Sequence, residues 1–119
     1  MKFVLLLVLS FAAIFGLASA SNCTTIQWDP SNQQLVNILN TGFQQAVAEA
    51  IQEGKIVNCA WNWTQVMNGE TCITGGIPNY NFGVMADNNC YQDDALFNLF
   101  INVFNVGEIE LFAFDVLPM

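Results

Sequence analysis

Apolar residues recur along the chain in two rhythms, and the change between them falls near Gly54. Upstream, Leu35, Ile38, Leu39, Gly42, Phe43, Ala46, Val47 and Ala50 fall at i, i+3, i+4, i+7 spacing. That is one stripe of an amphipathic helix about four turns long. Gln33, Gln34, Asn37, Asn40, Gln44 and Gln45 take the opposite side and predict its solvent face. Asp29-Pro30 predicts the helix start, with aspartate as N-cap and proline at the first helical position, where its missing N–H costs nothing. The helix is expected over residues 31–52. Gly54 predicts the stop, and Lys55 just beyond complements the negative helix end.

Downstream the period shortens to two. Val57, Cys59, Trp61 and Trp63 alternate with Asn58, Ala60 and Asn62 as a half-buried strand. Tyr80, Phe82 and Val84 predict a second strand. Leu96–Phe104 and Ile109–Val116 predict a Phe-rich pair around a tight turn at Asn105–Glu108. Thr64–Gly69 reads as a hairpin bend carrying the turn-forming pair Asn68-Gly69, and Asp87–Asp94 as a polar loop holding Cys90. The predicted fold class is α+β, one long helix packed across an antiparallel sheet of four to five strands.

Residues 1–20 stand apart. Lys2 gives a positive start, Phe3–Leu17 is an apolar run, and Ala18-Ser19-Ala20 has the small-x-small form of a signal-peptidase site. The run is about fifteen residues, short of the roughly 20 that a membrane span needs. The expectation is a signal peptide over 1–20, a single domain over 21–119, and a protein located outside the cell or in the lumen of the secretory pathway, with no membrane insertion.

Without the leader, Lys55 is the one basic residue against ten carboxylates. Nucleic acid needs a basic footprint, so it is excluded as an expected partner. Cys23, Cys59, Cys72 and Cys90 form an even set that predicts two disulfides, with three connectivities possible. Asn22-Cys23-Thr24 and Asn62-Trp63-Thr64 are sequons that permit N-glycosylation at Asn22 and Asn62.

The chain contains no histidine, which removes Ser-His-Asp and Cys-His chemistry and the commonest general base. It holds no Gly-rich phosphate loop and no Cys-x-x-Cys. Asp93-Asp94 reads as a solvated turn rather than a glycosidase pair. The expectation is a protein that is not an enzyme and uses no metal or cofactor.

The order of elements, taken with Thr64-Gln65-Val66-Met67-Asn68-Gly69, resembles the cystatin family, nearest to its short stefin-like form. That family often carries Thr-Gln-Val-Val-Ala-Gly at its first hairpin. Departures are Met67 and Asn68 within the motif, no glycine in Ser21–Asp29, and no proline or tryptophan in Asn105–Glu108. The resemblance implies a secreted inhibitor of papain-like cysteine proteases, in which two hairpin tips and the N-terminal strand plug the substrate cleft as an apolar wedge. It assigns protease binding to Gln65, Val66, Met67, Asn68 and Gly69 on the first tip, and to Val106 and Gly107 on the second. The alternative is a non-inhibitory secreted binding or surface protein on the same fold. The aromatic final hairpin is expected to leave apolar side chains on the sheet face turned away from the helix. Relative to the short family form, extra residues bearing Cys72 and Cys90 read as a disulfide-closed excursion. The expected pairs are therefore Cys23–Cys59 and Cys72–Cys90, with the N-terminal segment beside the strand that contains Cys59.

Overall fold

In a computed structural model, described for residues 22–91, 93–104 and 107–118, the elements run β1 (Asn22–Thr25), α1 (Gln33–Gln52), β2 (Trp61–Thr74), β3 (Ile77–Asn88), β4 (Asp94–Val103) and β5 (Ile109–Pro118). The five strands form one antiparallel sheet in the order β1-β2-β3-β4-β5. The helix packs on one face of it, so the α+β expectation holds. The signal peptide expected over 1–20 lies outside the described residues.

The apolar stripe positions the helix. Ile38, Leu39, Gly42, Phe43, Ala46, Val47 and Ala50 are all buried, with Leu35 at the margin. They meet Phe82, Val84 and Ala86 of β3 and Ala95, Phe97, Leu99 and Ile101 of β4. Phe43 and Phe97 pack edge to face with centroids 5.1 Å apart.

The helix begins later than Asp29-Pro30 predicts. Asn32 is the N-cap, its Oδ1 accepting from Leu35 N–H at 3.2 Å. Asp29 instead closes a turn, accepting from Ser31 N–H at 3.0 Å and Ser31 Oγ–H at 2.7 Å. Its carboxylate has nearer donors than the helix end, so the capping role passes to the next short polar side chain. The stop falls as expected. Gly54 has φ +75, with its N–H on Ile51 O and Lys55 N–H on Ala50 O, the paired bonds of a Schellman ending.

β2 differs most from expectation. Val57–Ala60 is a loop, and the strand then runs without a turn from Trp61 to Thr74. Its pairing with β3 shifts twice, because Thr64 and Met67 are each an extra residue. A third shift makes Phe112 extra in β5. These are β-bulges, which bend and twist the strand. The residues read as a closed excursion instead lengthen the β2–β3 hairpin.

The disulfides are Cys23–Cys72 and Cys59–Cys90, correcting both expected pairs. The N-terminal segment does lie beside β2, but at its far end. Cys23 stands opposite Cys72, with Cα atoms 4.1 Å apart. Cys59 precedes β2 and reaches Cys90 in the β3–β4 turn.

Candidate functional site

Gln65–Gly69 was expected at a hairpin tip, and the structure corrects this: the segment lies inside β2. Val66 turns toward the core, Gln65 toward solvent, and Met67 sits exposed at the bulge. Asn68 lies across Gly83 of the neighbouring strand, where a Cβ would come within 2.9 Å of Asn68 Oδ1. Gly69 does not have a positive φ; among the described residues the positive-φ glycines are Gly54, Gly75, Gly76 and Gly107. Its need is for space, since a Cβ there would stand 3.2 Å from the Phe82 ring and 3.4 Å from Ile26 Cβ. The motif lines a small cleft of about 160 Å³ walled by Ile26, Trp28 and Phe82. Trp28 meets Trp63 and Phe82 edge-on at 5.7 and 5.9 Å.

The chain reverses instead at Gly75-Gly76, with φ of +60 and +81. A left-handed pair is what a two-residue hairpin loop demands, and Gly-Gly supplies it without steric cost. That dipeptide was visible in the sequence and competes directly with Asn68-Gly69 as a turn signal.

The register sets which groups share an end of the sheet. Asn22 pairs with Ile73, Thr74 with Ile77, Asn79 with Asn102 and Val103 with Ile109. The start of β1, the β2–β3 turn and the β4–β5 turn therefore lie at the same end. Ile73 is 51% exposed there and Ile77 37%. Around the corner, on the face away from the helix, Thr74, Ile77, Asn79, Asn102 and Phe112 line a shallow hollow of about 330 Å³. Gly107 is exposed with φ +79, and Val106 lies outside the described residues.

Alternation along the strands assigns the outer face. It carries Asn68, Asn79, Asn81, Asn98 and Asn102, with Asn81 Nδ2 donating to Asn98 Oδ1 at 3.2 Å and to Leu99 O at 3.0 Å. Phe100 and Phe112 lie together on it, centroids 6.1 Å apart. Phe97 is in the core and Phe114 packs against it from the inner face. Phe100 and Phe112 are the apolar side chains that the final hairpin leaves on the face away from the helix, while Phe97 and Phe114 belong to the inner face.

The remaining candidates are quickly placed. Asn22 and Asn62 are both exposed, as are Asp93 and Asp94. Cys23, Glu70 and Cys72 bring ligand atoms within 4.8 Å of one another, but both sulfurs are committed to a disulfide. Asp29 is held below the ordinary aspartate range by the Ser31 hydroxyl and then the Ser31 N–H. Comparison with protein-family models, curated proteins and solved structures returned no match.

Proposed function

We propose that this is a secreted, non-catalytic binding protein that presents one end of its sheet to the substrate cleft of a papain-like cysteine protease, the target implied by its resemblance to cystatins. One observation carries this reading: the N-terminal strand and two reversing turns share an end, as a plug for a single cleft requires. The two disulfides fit an extracellular setting. The contact residues differ from those the motif suggested. Ile73, Gly75, Gly76 and Ile77 take the place of Gln65–Gly69 on the first tip, and Gly107 stays on the second.

The chemistry is apolar burial against a wall of fixed shape. Burying two isoleucines contributes roughly 3–6 kcal/mol, against an association cost of about 4–15 kcal/mol. Backbone contacts at the tips must supply the remainder, and weak binding is expected. Titrating papain with the purified protein against a fluorogenic peptide tests this. Competitive inhibition, weakened at least about tenfold by Ile73→Asp with Ile77→Asp, is the expected result. Papain left fully active at high micromolar concentration overturns it.

A second reading rests on the displaced motif and on the outer face. With Gln65–Gly69 inside a strand, the tips carry few apolar groups, while Phe100 and Phe112 stand together on an open surface. A pair of neighbouring aromatic side chains on an outer face supports an interaction surface there. On this reading the protein inhibits nothing and binds through that face, and Phe112→Lys abolishes partner binding without affecting the tips.

A further inference from the structure

At the end of the sheet opposite the three tips lies a pocket of about 370 Å³. It is an open pocket lined by Trp61, Ile56, Val57, Ala95 and Pro118, with the exposed Asp93 and Asp94 also lining it. The volume falls in the range of small-molecule sites, which are mostly apolar with a few convergent polar groups.

The walls are fixed before any ligand arrives. Trp61 Nε1–H donates to Val57 O at 3.0 Å, which clamps the segment after the helix. The Cys59–Cys90 disulfide ties that segment to the β3–β4 turn. Asn88, only 6% exposed, holds the turn that carries the two aspartates. Its Oδ1 accepts from Cys90 and Tyr91 N–H at 2.8 Å each, and its Nδ2 donates to Asp93 O at 3.3 Å.

The field at the mouth is negative. Besides the two carboxylates, the pocket borders Gly54 at the C-terminal end of α1, whose last turn holds no basic side chain. Lys55 also lines the pocket, but its ammonium is engaged by Glu53 at 3.3 Å and lies over the Phe114 ring at 5.2 Å.

We propose that this pocket binds a small organic ammonium ion with an apolar body. The body packs on Trp61, Ile56 and Val57, and the charged head meets Asp93 and Asp94. An anion of the same shape meets two carboxylates and a helix C-terminus, and is rejected.

Phenethylammonium and 3-phenylpropionate are suitable probes, because their bodies match and their charges oppose. Each is titrated into the isotope-labelled protein with both disulfides formed, following amide and indole N–H shifts. The amine is expected to give saturable shifts at Gly54, Ile56, Val57, Ala95 and the Trp61 indole, and the anion none. Asp93→Asn with Asp94→Asn, both at exposed sites, should weaken the amine by about three- to tenfold. Val57→Trp should fill the pocket and abolish the shifts while the remaining spectrum keeps its dispersion. Absence of saturable shifts at these groups, equal binding of the anion, or undiminished affinity in the double aspartate variant would overturn the proposal.

Discussion

Gly42 faces Ile101 so closely that a Cβ at position 42 would collide with the isoleucine's Cγ1 and Cδ1. The helix backbone therefore rests on β4 at this point, and a glycine inside a helix is explained by contact rather than by flexibility. Gly42→Ala gains about 1 kcal/mol of helix propensity but must displace the fully buried Ile101 side chain or lift the helix off the sheet. A net loss of about 1–3 kcal/mol is expected from overpacking, read as a lower urea midpoint.

Gln45 mends the free edge of β5. Its Nε2 donates to Ile109 O at 3.2 Å, and its Oε1 accepts from Leu111 N–H at 2.8 Å. One side-chain amide thus occupies two of the backbone groups that a neighbouring strand would use, which also blunts the edge against pairing with another chain. Gln45→Ala should cost about 1–2 kcal/mol and speed hydrogen exchange at Leu111. Gln45→Glu should cost more at neutral pH, because a carboxylate replaces the donor facing Ile109 O.

The helix was legible because its stripe is uninterrupted from Leu35 to Ala50. β2 was not, and the bulges explain why. Its inward positions are Trp61, Trp63, Val66, Gly69 and Thr71, so the period of two slips at Thr64 and again at Met67. Alternation read from sequence stops at Trp63, and the residues beyond then look like a bend. Two candidate turn dipeptides follow in the chain, and local chemistry alone does not rank Asn68-Gly69 against Gly75-Gly76. Pairing with β3 does. Gln45 was placed on the solvent face by its helical phase, and only the position of β5 gives its amide a partner.

The displaced motif makes a sharp contrast between two substitutions. Met67→Ala, at a mid-strand bulge far from the tips, should leave any papain inhibition within about twofold. Gly76→Val forces a β-branched residue to positive φ, with a cost on the order of 1–2 kcal/mol, and should reduce inhibition by about tenfold. Inhibition constants for the pair decide between the two placements of the contact.

Asp29 offers a pH readout. Its folded pKa is depressed, so the stabilisation is present above the unfolded aspartate value and is lost as pH falls through the folded one. Ser31→Ala should move the Asp29 carboxyl back up toward its ordinary range, measured by carboxyl carbon shifts, because the larger of its two hydrogen bonds is removed.

Mass mapping of the unreduced protein should find Cys23 joined to Cys72 and Cys59 to Cys90. Replacing either pair by alanine should cost roughly 3–4 kcal/mol, since each closes a long loop. A Cys23–Cys59 bridge would require a different register for β1.

The two disulfide loops interleave, Cys59 falling inside the first and Cys72 inside the second. Any single backbone cut between Cys23 and Cys90 is therefore spanned by at least one bridge and releases no fragment. That interval includes the exposed Gly75-Gly76 reversal, the element offered to a proteolytic enzyme under the proposed function. A clipped tip would stay attached on both sides, held by the same strands and sulfurs. Nicking there would appear as two bands only after reduction, whereas a cut beyond Cys90 would leave β4 and β5 held by packing and hydrogen bonds alone.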